Sequence, residues 1–276
     1  MIPNLPTLRI LPLPSLVLHE DHDNQRTLPL VQRLRKAGML RNPPMVMPLE
    51  DGTDRYMVLD GANRVTALTE MEFPHIVAQV VKGNDPHVLL QTWNHVVWGM
   101  KSDTVLRRLR RIQGLSVSKV NTTKSLDAPK YAPMQVRMPD GSLYLLVEAP
   151  SDLVQHIHTL HQVVNAYKTD ASLDRTSQTL IDSFRNVYTD LTTLVIFPSF
   201  KIKTVLKLAA QGIVLPTGIT RFTVSPRALH LNFPLHELSS GKPIEYKEEY
   251  LHDWVEERVK NKGIRFYAEQ TFLYDE

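Results

Sequence analysis

Cysteine is absent from the 276 residues, which removes disulfides, thiolate zinc sites and a cysteine nucleophile together. Any nucleophile or base must come from another side chain. No stretch approaches the roughly 18 uninterrupted apolar residues of a membrane span. The N-terminal MIPNLPTLRILPLPSLVLHEDHD is apolar but is broken by Pro3, Pro6, Pro12 and Pro14, and it lacks the basic start and cleavage triplet of a secretory signal. These absences predict a soluble, cytoplasmic protein with no membrane partner. Net charge is small, at +3, so charge alone neither demands nor excludes a polyanionic partner. The familiar phosphate-loop patterns are missing too: Gly241-Lys242 is followed by Pro243 rather than Ser or Thr, and no dinucleotide fingerprint occurs.

What is present is ordinary globular material, 42% hydrophobic and 22% charged, enough for one large domain or two modest ones. Residues 16–18 predict a short strand leading into the polar cluster His19-Glu20-Asp21-His22-Asp23. Leu30, Val31 and Leu34 have helical spacing, and Gly38 supplies the stop. Strands are expected over 43–48 and 55–59 around an Asp51-Gly52 turn, then a helix over 63–71 and a strand over 74–81. Further on, the pattern predicts helix over 86–112, irregular chain over 113–134, a hairpin over 134–149 with Pro139-Asp140-Gly141 at its turn, and helices over 151–166 and 204–211. Strands near 219–224 and 228–232 and a solvated, charge-rich helix over 246–262 complete the expectation. The division expected is a first domain over 1–82 and a mixed α+β domain over 83–276.

The stretch MVLDGANRVTAL, 57–68, runs from an apolar strand through Asp60-Gly61 into a helix. A helix start offers unpaired N–H groups and the positive end of a dipole, glycine lets an anion approach the backbone, and Arg64 adds a cationic fork. The same residues also suit a simple cap at Asp60 and a tight turn at Gly61.

The strand, the helix ending in AGMLRNPP, the hairpin and VLDGANRVTALTEMEFPHIVAQVV together resemble the ParB/sulfiredoxin fold over residues 16–82. Within that superfamily HE at 19–20, DGANR at 60–64, TWNHVVWG at 92–99 and LPTGITRFTVSPRALHLNFPL at 215–235 are most similar to the free L-serine kinases of the siderophore-precursor type. The resemblance implies an α/β (α+β) protein with a ParB/sulfiredoxin-like N-terminal domain, a mixed α+β C-terminal domain and an active site in the cleft between them. It implies phosphorylation of free L-serine to O-phospho-L-serine, with ATP or ADP as donor and Mg²⁺ carried mainly on the nucleotide.

Residue by residue, it implies Glu20 as general base and Asp60 as an acidic group that orients the phosphate joint. Gly61, Ala62, Asn63 and Arg64 would take the nucleotide phosphates. Trp93, with His95 beside it, Thr220, Arg221 and Asn232 would hold the amino acid, and His19 would assist with substrate or phosphate. No dedicated metal ligand is expected. His156, His158 and His161 invite a metal reading, but the default is a solvated helix face without a carboxylate partner.

The same fold supports a rival reading, a ParB-like DNA-binding regulator. VLRRLRRIQGLSVSKV places Arg107, Arg108, Arg110 and Arg111 before a Gly-Leu-Ser turn, a loose helix-turn-helix pattern, although Asn121-Thr122-Thr123 and Pro129 intrude where a second helix should run. A sulfiredoxin-type reduction needs the cysteine this chain lacks.

Overall fold

The computed structural model describes residues 5–21, 24–120, 133–149 and 152–267. The chain runs through β1 (Leu8–Pro12), β2 (Leu16–Leu18), α1 (Asn24–Ala37), β3 (Met39–Leu40), β4 (Met45–Pro48), β5 (Tyr56–Asp60), α2 (Ala62–Glu70) and β6 (His75–Val80). There follow β7 (Val88–Thr92), β8 (Asn94–Trp98), α3 (Ser102–Leu109), β9 (Leu115–Lys119), β10 (Met134–Arg137), β11 (Leu143–Glu148), α4 (Leu153–Lys168), β12 (Ser172–Thr176) and β13 (Leu191–Ile196). It closes with α5 (Ile202–Ala210), β14 (Thr220–Val224), β15 (Phe233–Pro234), α6 (Leu235–Ser239) and α7 (Ile244–Lys260). None of the described helices is long and apolar enough to cross a membrane.

Two compact units emerge, each discontinuous in sequence. One draws on Met1–Val17, Asp23–Val88 and Val224–Glu276, the other on Leu18–His22 and Leu89–Thr223. The first is built on a sheet of order β1-β6-β4-β5-β2. β4 lies parallel to β6 and antiparallel to β5, and such a central position explains why Met45, Val46 and Met47 are all buried. The β4–β5 turn uses positive φ at Glu50 and Gly52. Helix α1 turns Val31 and Leu34 inward, and α2 does the same with Val65, Ala67 and Leu68.

Sequence pattern suggested a division at 82, yet residues 224–267 pack with the first unit. Phe233 of β15 pairs with Leu40 of β3. Glu248 of α7 accepts hydrogen bonds from Arg9 Nε and from the Ile10 N–H, at 2.9 and 3.0 Å, covering the free edge of β1. Lys247, 0% exposed, donates to the carbonyls of Leu238 and Ser240 and to His75 Nδ1, so it caps the end of α6 and ties α7 to β6. The charge-rich helix expected to be solvated is thus anchored by Lys247 and Leu251, both buried.

The second unit holds a six-stranded sheet of order β12-β8-β13-β10-β11-β9, antiparallel throughout, and a two-stranded β14-β7 ribbon. Here the expected helix over 86–112 gives way to β7, β8 and a short α3. Val88, Val96 and Val97 are β-branched residues that fit a pleated, buried surface better than a helix. The strand expected over 228–232 does not form, and the chain there is irregular, with positive φ at His230 and Asn232. β9 occupies part of the stretch read as irregular, and residues 121–132 of that stretch lie outside those described. β1, over a stretch given no element from sequence, tolerates its proline because Pro12 sits at the strand end, where the missing N–H costs no ladder bond.

Candidate active site

In the second unit Glu20 is clamped by the loop that leads into β14. Leu215 donates to the His19 carbonyl at 2.8 Å and accepts from the Asp21 N–H at 2.9 Å, which fixes the backbone on both sides of Glu20. Its carboxylate then accepts from the Gly218 N–H at Oε2 (2.8 Å) and, at Oε1, from the Thr220 N–H (2.6 Å) and the Thr220 hydroxyl. The Thr220 proton goes to the carboxylate, so His19 Nε2, 2.8 Å from Thr220 Oγ1, must be the donor of that bond. A buried chain His19→Thr220→Glu20 results. A carboxylate offers about four acceptor positions. Three donors are seated here, two on Oε1 and one on Oε2, leaving the open position on Oε2.

His95 lies beneath the same loop, 0% exposed. Its Nε2 is 2.9 Å from the Gly218 carbonyl and its Nδ1 2.7 Å from the Tyr167 hydroxyl. A carbonyl only accepts, so the ring proton is on Nε2 and the Tyr167 hydroxyl donates to Nδ1. Burial lowers the His95 pKa to about 4, against the raising effect of the Gly218 bond, and Arg175 and Lys168 add to the lowering. Burial likewise raises Tyr167. His95 therefore braces the loop from behind, with both ring nitrogens engaged.

Because the folded value lies below the unfolded 6.5, the unfolded chain binds the proton first. The stability that neutral His95 secures is complete above pH 6.5 and is lost as pH falls toward 4, by roughly 3 kcal/mol. Urea midpoints should fall across that window, and the His95→Gln variant should show a shallower fall there. An unchanged slope would remove His95 as its source.

Trp93 donates its backbone N–H to the Ile219 carbonyl at 3.0 Å, and the Arg221 guanidinium lies 4.5 Å from the centre of the Trp93 ring. That stacking holds the arginine plane while leaving its edge available to a carboxylate. Glu20, His19, Trp93, His95, Thr220 and Arg221 thus come together in one unit. Asn232 does not join them: it belongs to the first unit, where its N–H bonds the Arg41 carbonyl at 3.2 Å.

The first unit contains the joint at 60–64. Gly61 caps α2 with φ 98°, and a Cβ there would come within 2.8 Å of Pro44 Cβ and 2.9 Å of Arg64 Nη2. That side of Gly61 is closely packed against Pro44 and Arg64, and only glycine fits there. Arg64 points its fork inward, donating from Nη1 to the Asn42 and Pro43 carbonyls (2.6 and 3.2 Å) and from Nη2 to Asp60 (2.9 Å). Asp60 also accepts from Arg227. Burial pushes the Asp60 carboxyl up, and the charges of Arg64 and Arg227 outweigh it, leaving the group below its ordinary range.

Arg227 was not singled out from sequence. Its only local signal is the arginine of SPRAL, which carries no spacing relation to residue 60. The histidine expectation also changes. His156 is 2% exposed and bonds Glu148 through Nδ1, so that face of α4 is packed against β11, and Glu148 is the carboxylate partner the pattern did not reveal. His161 Nε2 donates to the Val214 carbonyl at 2.9 Å. Among the described residues no group of three or more His, Asp or Glu side chains is placed to hold a metal. After the arginines of α3, the chain enters strand β9 instead of a second helix, and Arg108 is bonded to the Ala166 carbonyl and Asp170, so the helix-turn-helix expectation is not met.

No protein-family profile matches the chain. A curated ATP-dependent L-serine kinase of Staphylococcus aureus, SbnI, is 24% identical over 98% of this chain and 97% of its own length. A solved structure of C-terminally truncated SbnI superposes with a TM-score of 0.72 at 22% identity, over 91% of this chain and 97% of that one. A free serine kinase in complex with AMP gives 0.69 at 15% identity, over 84% and 93%. These structures share the fold of this chain.

Proposed function

We propose that the protein is a kinase of free L-serine, with ATP as phosphoryl donor and O-phospho-L-serine as product. The observation that carries this reading is the Glu20 carboxylate, held by three donors from Gly218 and Thr220 with one acceptor position open, beside the Trp93–Arg221 stack. Glu20 Oε2 takes the proton of the serine hydroxyl as that oxygen forms its bond to the γ-phosphorus. The bond from phosphorus to the β-phosphate oxygen breaks, and ADP leaves with the electron pair. Arg221 grips the α-carboxylate and Trp93 walls the pocket.

The N–H groups of Gly61, Ala62 and Asn63 hold the nucleotide phosphates at the start of α2, where Gly61 is the N-cap. Mg²⁺, bound through the phosphates, neutralises their charge. Asp60 and the inward-turned Arg64 position this joint, and Arg227, with one donor on Asp60, presents its remaining donors to phosphate. The strands and helices over 16–82 also support a ParB/sulfiredoxin-like description of this region, and a cytoplasmic setting suits a consumer of ATP. Arg227→Ala should raise the Kd for ATP about tenfold with little change in Tm, whereas Arg64→Ala should lower Tm through two abandoned carbonyls. Equal ATP affinities in wild type and Arg227→Ala would remove Arg227 from the phosphate site.

The test of the whole reading is phosphorus NMR of the protein with Mg²⁺, L-serine and either ATP or ADP. A serine-dependent phosphomonoester signal with ATP is expected. Signal with ADP alone would reassign the donor, and none with either would sink the kinase.

A further inference from the structure

Arg175 lies on β12, outside every group assigned so far. Its Cα pairs with that of His95 across β12 and β8, so the two side chains rise from the same face of the sheet. The Arg175 guanidinium covers the α-carbon of Gly218: a Cβ there would overlap Nε and would lie 2.8 and 2.9 Å from Cζ and Nη2. Gly218 also has φ 78°, so both backbone and space exclude a side chain. Arg175 is exposed, and among the described residues it has neither a hydrogen-bond nor an ion-pair partner. Lys168 stands nearby, its Nζ 3.4 Å from Thr217 Oγ1.

The placement of this cation follows from Glu20. Oε1 is filled by two donors and Oε2 by one, the Gly218 N–H. An acceptor hydroxyl therefore docks at Oε2, on the Gly218 side, and Gly218 is the residue that Arg175 covers. Gly218 is thus a neighbour common to Oε2, through its N–H, and to the guanidinium, through its α-carbon. Arg221, by contrast, is committed to the Trp93 face.

We propose that Arg175, with Lys168 beside it, binds the phosphate of O-phospho-L-serine in the second unit. The proposal rests on the serine-kinase reading. A phosphomonoester carries nearly two negative charges at neutral pH and offers three strong acceptor oxygens, which a planar fork of free donors matches better than a neutral hydroxyl does. Arg175 thus distinguishes product from substrate, and it offsets the repulsion between the new phosphate and the Glu20 carboxylate.

The test is calorimetric titration of L-serine and of O-phospho-L-serine onto wild type, Arg175→Ala and Arg175→Lys, beside a thermal melt and a turnover assay. Arg175→Ala should raise the Kd for O-phospho-L-serine about tenfold while that for serine stays within about twofold, and Arg175→Lys should fall between. An equal loss for both ligands would place Arg175 on the α-carboxylate and overturn the proposal, as would unchanged O-phospho-L-serine binding. If Arg175→Ala melts early, Arg175→Lys, which keeps the charge and loses the fork, decides on the same criterion. A wild type that phosphorylates serine but shows no dependence on Arg175 overturns this subsite alone. A wild type without turnover overturns the kinase reading and the subsite together.

Discussion

Glu20→Gln should lower kcat by about a thousandfold while leaving ATP affinity unchanged. The substitution preserves volume, and the donors around residue 20 dictate how the amide sits. Two of them, the Thr220 N–H and hydroxyl, converge on the Oε1 position, so the amide oxygen settles there. The NH₂ group is then driven to the Oε2 position, against the Gly218 N–H. The variant loses its proton acceptor at the one open position and sets donor against donor in the loop. ATP affinity is spared because the proposed phosphate joint, residues 60–64, belongs to the other unit. Steady-state kinetics with a separate nucleotide titration checks this. Joint loss of turnover and ATP binding, with a lower Tm, would make Glu20 a structural residue.

Gly61→Ala is expected to be the most damaging change at the proposed phosphate joint. A non-glycine residue in the left-handed region costs about 1–2 kcal/mol, and here the added methyl also meets Pro44 Cβ at 2.8 Å and its Cα at 3.0 Å. Backbone just ahead of β4 cannot yield as a flexible side chain can. The start of α2 should shift, with a lower Tm and a rise of more than about tenfold in the Kd for ATP. Gly38→Ala is the control: φ is 65° and nothing lies within 4 Å of the added carbon, so only the conformational cost remains. If the two variants bind ATP equally well, the helix start at Gly61 is not a phosphate site.

Local signals were read well where period and turn chemistry act over a few residues. The helix starting near residue 62, the hairpin around Pro139-Asp140-Gly141 and the helix over 153–168 all have an Asp, Gly or apolar repeat that needs no distant partner to interpret. The apolar run 88–98 was misread because a short buried strand and a buried helix carry the same composition, and only the pairing of β8 with β12 and β13 separates them. Residues 224–260 went to the wrong partner for the same reason. Nothing local in α7 announces that Glu248 will cap β1 or that Lys247 will be buried against His75.

By itself the sequence determined which residue types were available for chemistry: no thiol, a glutamate after a strand, and a glycine and an arginine around a helix start. Only the tertiary structure decided what those groups do. Glu20 acquires its donors from residues about 200 positions away, Arg64 turns onto the carbonyls of 42 and 43, and Arg227 reaches Asp60 from the far end of the chain. His95 becomes a buried brace, and Arg175 comes to lie on Gly218. The physical reason is that a polar side chain's role is set by which donors, acceptors and charges surround it once water is excluded, and those neighbours are supplied by chain folding across distances that no local pattern records.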